Sequence, residues 1–573
     1  MKHTLTLLTA LQLIPSMAAA LLLVVIASCA TDRGVKPGAG PESAVDLRAF
    51  LAKELEAGNK RIVVPPGRYR LMPEHGRHLW FRNLADVEIF AAKAELVCGA
   101  TAQAIGFENC TNVTLRGLTI DYDPLPFTEA RITAVAPDKR WVEFEIIEGY
   151  PDHQLVERVE IYNPATGELR RPDAGWEETF EPLGNHRYRI AKRPGYRFDA
   201  ARDLEQVGDI LVTNHSFPDN AGGHAITLDR CTNITLDAVT LYASPSFGFV
   251  EHQCERTTYR RCKIDRRAPA DDWVKRGFPR MRSLNADAFH SVEATKGPAI
   301  IQCTAKFQGD DCVNIHGTYH FVTACDSNRL RVAVQRRMTI EAGDPVEFLP
   351  FNGPRPPDAV AQQIERDPLP MTDAERAFFQ KVNLHQNMKE LMLGGKAMFY
   401  TVTLDRSLTL PLGSQISAAN RIGNEFLVQG CDFGFNRSRG ILIKASRGKI
   451  LNNRITHGWM AGILVSPEYW WNESGTSSDL EIRGNTILGC RQTAIEVVAP
   501  GGDRKPLPAS AHRNITILNN RIGDCPWPVI HVTSTDGLTI RGNRVESTTA
   551  YPPCRPGAKR FEITESDRVT INE

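Results

Sequence analysis

The sequence predicts an all-β chain: a solenoid of short parallel strands interrupted by two inserted β modules. Recurring phrases give the solenoid. Asn112-Val113-Thr114-Leu115 returns as Asn233-Ile234-Thr235-Leu236 and as Asn514-Ile515-Thr516-Ile517. A second phrase, Asn453-Arg454-Ile455, returns at Asn485, Asn520 and Asn543, at intervals of 32, 35 and 23 residues. Repeats of roughly 20 to 35 residues mark stacked units that each touch only their neighbours. Apolar and polar positions alternate within each phrase, as a strand with one buried face requires. Two long segments without the phrases give the inserted modules.

The 573 residues exceed one ordinary compact domain, a limit solenoids escape. A net charge of +1 gives no footing for nucleic acid or an anionic membrane as the main partner. Beyond the N-terminal segment no apolar run reaches the ~20 residues of a membrane-spanning helix. Residues 1–28 read as a lipoprotein signal peptide, with the apolar run Leu21 to Ile26 ending in Ile26-Ala27-Ser28-Cys29, a lipobox-like sequence. Cys29 is the candidate lipidation site. Residues 29–43 are small and polar, as a tether is. The expectation is an exported lipoprotein of a bacterial membrane, in the periplasm or at the cell surface, touching membrane only through its lipid.

Residues 44–126 hold the cap and first coils. Ala44 to Asn59 has helical periodicity and stops at Gly58. The run Arg61 to Tyr69, with Pro65-Pro66-Gly67 inside it, resembles the N-terminal cap of right-handed parallel β-helices. A cap is needed because the first coil would otherwise expose its interior and a free edge. Residues 127–215 carry alternating strands such as Trp141 to Ile147 and read as the first inserted module. Residues 216–319 resume the coils, 320–420 form the second module, and 421–573 the last coils. Thirteen cysteines without a CxxC pair predict buried free thiols stacked along the solenoid rather than disulfides or zinc.

The chain is organised around Leu284 to Tyr319. Asp287 precedes the adjacent pair Asp310 and Asp311 by about one coil, so strands ~4.8 Å apart bring three carboxylates together. Crowded like charges push at least one pKa up, which lets an acid and a base coexist. A calcium site is another use of such oxygens. His290 and His316 flank the patch and could meet a substrate hydroxyl or tune a carboxylate. Asn314 shares their strand face or the interior one. Lys444, at the end of Gly440-Ile441-Leu442-Ile443, could touch substrate or offset the carboxylates. The turn Ser466 to Gly475 offers Glu468, Trp470, Trp471 and Glu473, carboxylates and aromatic faces suited to a sugar. Glu251 and His252 are weaker candidates.

These segments together resemble glycoside hydrolase family 110, exported bacterial exo-α-1,3-galactosidases. The likeness rests on Asn285-Ala286-Asp287-Ala288-Phe289-His290, Gly309 to Tyr319, Gly440 to Lys444 and Trp470 to Gly475. The resemblance implies a right-handed parallel β-helix, a pectin-lyase-like solenoid, carrying two small β-barrel-like modules. It also implies inverting hydrolysis of terminal α-1,3-linked galactose, with Asp287, Asp310 and Asp311 catalytic and no cofactor or metal. The Asp pattern is similar to that of polygalacturonases as well. Asp310 is expected to be the general acid, with Asp287 and Asp311 ionised. The partner expected is a glycan or polysaccharide ending in α-galactose. The alternatives are another polysaccharide hydrolase, a lyase, or a non-catalytic carbohydrate-binding β-helix.

Overall fold

The computed structural model describes residue 43 and residues 45–572, apart from 153–154, 172–174, 178, 199–202, 216–222, 273–279 and 547–550. The signal peptide, Cys29 and nearly all of the tether lie outside the described residues. Each coil contributes one strand to each of three long parallel sheets. The first runs from Arg61–Val63 to Asp567–Asn572, the second from Gly67–Leu71 to Arg544–Val545, and the third from Arg77–Arg82 to Phe561–Thr564. Inward residues stack in register along the axis. On the first sheet Leu115, Leu236, Tyr259, Ile300, Val428, Ile450, Ile482, Ile517 and Ile540 form one buried column. Burial of each aliphatic side chain contributes about 1.5–3 kcal/mol, so the repeat itself builds the core.

Helix α1 (Leu47–Glu56) closes the N-terminal end. The Asp46 carboxylate accepts from the amides of Arg48 and Ala49, and Leu47 and Leu51 are buried under the first coil.

Two kinds of asparagine stack at the corners. Asn112, Asn233 and Asn514 sit at positive φ (54°, 55° and 51°), and the Asn233 amide donates to Asn112 Oδ1 at 2.7 Å. The other set is buried and continues a line of thiols. The Cys303 amide donates to Cys431 Sγ (3.4 Å), and the Cys431 amide to Asn453 Oδ1 (2.9 Å). The line then runs through Asn485 and Asn520 to Asn543. All twelve described cysteines are free thiols.

The first module is a seven-stranded antiparallel sheet lying between Phe127–Val135 and Ile210–His215. The second is a closed six-stranded barrel, from His320–Asp326 to Gln415–Ala418, bearing helices α2 (Asp373–Lys381) and α3 (Gln386–Leu393). The barrel has its own core around Val332, Phe348 and Val402. A second cluster, including Phe321, Phe379, Tyr469 and Leu507, fastens it to the solenoid and to the loop after residue 465.

Candidate active site

Four neighbouring strands of the third sheet carry the site: β1 (Phe249–His252), β2 (Phe289–Val292), β3 (Val313–Thr318) and β4 (Ile441–Ile443). Phe249, Phe289, Val313, Ile315 and Ile441 point into the core. Alternation therefore turns His290, Asn314 and His316 outward. His290 lies beside Asn314, and Val292 beside His316.

Asp287 stands just before β2 and Asp311 just before β3, one coil apart in register. The Asp311 amide donates to Asp287 Oδ1 at 3.2 Å. A side chain at Gly309 would place its Cβ 2.7 Å from the Asn285 carbonyl oxygen. The absence of one lets the chain turn against the coil below, so adjacent Asp310 and Asp311 converge instead of pointing apart. Oxygens of all three carboxylates lie within 4.8 Å of one another. That spacing would suit a cation, but each carboxylate already accepts from protein donors.

Those donors are mostly arginines that sequence reasoning missed. Arg437 donates to Asp310 Oδ2 at 2.6 Å, and Arg158, from the first inserted sheet, stands 3.6 Å from the same oxygen. The Arg439 amide donates to Asp311 Oδ1 (2.7 Å), while its guanidinium stands 3.2 Å from Asp311 Oδ2. Buried Glu160 pairs with Arg158, Arg282 and Arg437 and holds this group in place. Arg437 and Arg439 are visible in Asn436-Arg437-Ser438-Arg439-Gly440, just ahead of the strand that carried the Lys444 motif. Nothing local marked Arg158.

The electrostatics of the three carboxyls differ from one another. Burial raises the Asp310 carboxyl, but Arg437, Arg158 and Arg439 outweigh it and hold Asp310 below the usual aspartate range. Burial, reinforced by Asp310 and Glu473, raises Asp287 well above that range. Asp311 is also raised by burial and by its two neighbours, against the pull of Arg439. The arginines thus hold low the one carboxyl that was expected to be raised. It is also the accessible one, with 26% of its side chain exposed against 5% for Asp287 and 3% for Asp311.

His290 is engaged on both nitrogens, by Asp287 Oδ2 (2.7 Å) and His316 Nε2 (3.1 Å), and its ring stacks on Phe247. Burial lowers both imidazoles to about 4, so both are neutral. Of the two roles open to these histidines, the geometry supports tuning a carboxylate. Lys444 is corrected as a substrate contact. It is wholly buried, and its ammonium lies 2.8 Å from Glu473, 3.1 Å from Glu468 and 3.1 Å from Asn314 Oδ1. Asn314 also donates to Glu473 (3.2 Å), so Lys444 and Asn314 together anchor the loop. Burial raises Glu473, but the Lys444 ammonium beside it outweighs burial and keeps Glu473 ionised. At Gly475 a Cβ would lie 1.5 Å from the Lys444 carbonyl oxygen, so the loop hugs β4.

Glu468 reaches Arg439 at 3.1 Å and so connects the loop to Asp311. Trp470 and Trp471 remain partly exposed, and Trp471 stacks on His385 at the start of α3, 4.0 Å between ring centroids. Glu468 and Trp470 line an open cleft of about 420 Å³ with Asn383, Pro500 and Arg504. Glu251 points into the coil interior, where it accepts from Ser291. It serves the core, while His252 lines a separate pocket below the barrel.

Residues 412–551 match the family described as right handed beta helix region. Alpha-1,3-galactosidase B of Bacteroides thetaiotaomicron is 22% identical over 91% of this chain and 86% of its own length. Alpha-1,3-galactosidase A of Bacteroides fragilis is 22% identical over 94% of this chain and 91% of its own. The solved exopolygalacturonase of Thermotoga maritima has a TM-score of 0.38 and 11% identity, covering 93% of this chain and 89% of that one. Fold, acidic patch and relatives define the class: the protein is a glycoside hydrolase built on a right-handed parallel β-helix. Within that class it is α-1,3-galactosidase-like, and the similarity extends over most of the chain.

Proposed function

We propose that the protein hydrolyses terminal α-1,3-linked galactose from a glycan, as an inverting exo-glycosidase. The split between a protonated Asp287 and an arginine-held Asp310 carries the chemistry. The sugar is taken from the relatives named alpha-1,3-galactosidase. Asp287 gives its proton to the glycosidic oxygen as the anomeric C–O bond breaks. Asp310 takes a proton from water, whose oxygen bonds to the anomeric carbon. The proton given up stays in the hydroxyl of the leaving group, and one proton passing through solvent from Asp310 to Asp287 resets the pair. Asp311, fixed by Arg439, lies beside the positive charge that develops on the sugar. Trp470 and Glu468 offer a stacking face and an acceptor for the remainder of the glycan.

One observation favours a second reading. Oxygens within 4.8 Å lie closer than the ~6.5–9.5 Å usual for inverting carboxyl pairs, and nearer the ~5 Å of retaining ones. In a retaining enzyme Asp310 would be the nucleophile. NMR of the galactose first released from a Galα1-3Gal disaccharide decides: β-galactose supports inversion, and α-galactose supports Asp310 as nucleophile. No galactose from well-folded protein would sink the galactosidase reading and send the search to galacturonans.

We further propose that the protein is exported and tethered through a lipid on Cys29. Its sequence context is the support. Fatty-acid labelling of the wild type that disappears in Cys29→Ala is the expected result, and equal labelling of both would overturn it.

A further inference from the structure

We propose that the cavity under the barrel is a binding site for an oxyanion, a sulfate or a carboxylate, carried by the glycan or taken from solution. The cavity holds about 200 Å³ and lies between β1 to β3, the first barrel strand (His320–Asp326) and the segment from Gln335 to Thr339. One water takes about 30 Å³ in the liquid, so a larger group fits. Asp287 and Asp311 stand before β2 and β3, whereas Val292, Glu293 and Thr318 of the cavity stand at the far ends of the same strands. The four residues of β2 span about 13 Å at roughly 3.3 Å each, so the cavity neighbours the acidic patch without including it. The site is independent of which carboxylate gives up the reaction's proton.

The free side-chain groups on its wall are donors. The Thr339 amide donates to His320 Nε2 at 3.1 Å. An amide only donates, so Nε2 holds a lone pair and the ring hydrogen sits on Nδ1. Burial and the neighbouring Arg337 lower this imidazole to about 3, which keeps it neutral. His320 is 2% exposed, yet its Nδ1–H meets no acceptor among the described residues. The Gln335 amide nitrogen is buried and also has no partner. Arg336 lines the cavity without an ion pair among the described residues. The acceptors, by contrast, are engaged. Glu293 accepts from the Thr318 hydroxyl at 2.6 Å and from Arg337, and Asn472 Oδ1 accepts from the Gln415 amide at 2.8 Å. Glu293 is the one carboxylate among the described lining residues, so two arginines leave the wall positive. Water would bring two hydrogens that these side chains do not receive. An oxyanion brings acceptors only, and its bonds to a guanidinium and to buried donors are charge-assisted.

Calorimetric titration of the protein with sodium sulfate, at an ionic strength held with sodium chloride, is the first test. Saturable binding at one site is expected, and Arg336→Ala and Gln335→Leu should each weaken it about tenfold. Arg336 is exposed, so its removal leaves the fold in place. Sulfate also strengthens folds generally, so a rise in melting temperature supports the site only where it shrinks in both variants. No saturable binding of sulfate, phosphate or acetate, or equal binding by the wild type and both variants, would show a cavity filled by water alone and overturn the proposal. Kinetics then identify the source. With the anion on the glycan, α-galactosides bearing a sulfate ester or a uronate on the next sugar should exceed the neutral disaccharide in kcat/KM about tenfold, and Arg336→Ala should bring that ratio toward one. With a dissolved anion, sulfate should shift the KM of the neutral disaccharide along its own binding curve. If sulfate binds as expected and no galactoside is cleaved, the galactosidase reading fails and the anion site stands.

Discussion

Two corners of the same solenoid stack polar side chains one coil above another, and they solve different problems. At the corner from Cys303 to Asn543, every rung is neutral and both donates and accepts. Asn485, for example, accepts from the Asn453 amide at 3.0 Å and donates from its own to Asn520 at 2.9 Å. Repetition satisfies such a ladder from within. At the corner of Asp287 and Asp311 each rung is an acid, and repetition brings like charges together. That corner is stable only because Arg437, Arg439 and Arg158 arrive from other coils and from an inserted sheet. Neutral ladders are local; charged ones need a tertiary structure around them.

The largest expected effect comes from removing an acid. Asp310→Asn should lower kcat/KM by about 10³-fold or more, within the range general acid–base groups supply, with unchanged circular dichroism. Near-wild-type turnover would remove Asp310 from the mechanism. Asp287→Asn should abolish turnover as deeply but should also stabilise the fold. Because the folded-state pKa of Asp287 is raised, the native protein binds more protons than the unfolded chain between the ordinary aspartate value and the raised one. Wild-type stability therefore falls as pH rises through that window, and the asparagine variant should show a higher melting temperature at alkaline pH. A lower one would contradict a protonated Asp287.

Arg437→Met sharpens the comparison by taking away one compensating charge. The Asp310 carboxyl should then titrate higher, moving the acid limb of the pH–rate profile upward and lowering turnover about tenfold near that limb. An unmoved limb would mean Arg437 does not set the charge of Asp310. Breaking the neutral ladder should have the opposite signature. Asn485→Ala leaves the buried Asn453 amides and the Ile450 carbonyl of the preceding coil without this partner and should cost about 1–3 kcal/mol, seen as a lower urea midpoint, with kcat/KM retained. Trp471→Ala, at a partly exposed stack, should change KM a few-fold and the melting temperature little.

The solenoid was legible because its determinants are local. Alternating Val, Ile and Leu between recurring Asn corners specify strands whatever surrounds them, and the spacing of Asp287 from Asp310 and Asp311 already implied one coil. The late phrase Asn453-Arg454-Ile455 and the cysteines were both readable, but not that Cys431 and Asn453 are successive rungs of one line. The side chains of the turn were legible as types and not as roles. Lys444 was open between substrate contact and charge compensation, and only its burial between Glu468 and Glu473 decides.

The sequence by itself determined the period of the chain, its free-thiol interior, and the meeting of three aspartates and two histidines on one sheet. Each follows from residue spacing along a repeating backbone. The tertiary structure alone decided which aspartate faces the arginines. That depends on Arg158, 151 residues from Gly309 along the chain, and on Arg437, 127 residues from Asp310. Charge interactions act through space over a few ångströms, and spacing within a repeat carries no information about an inserted sheet that folds back across it.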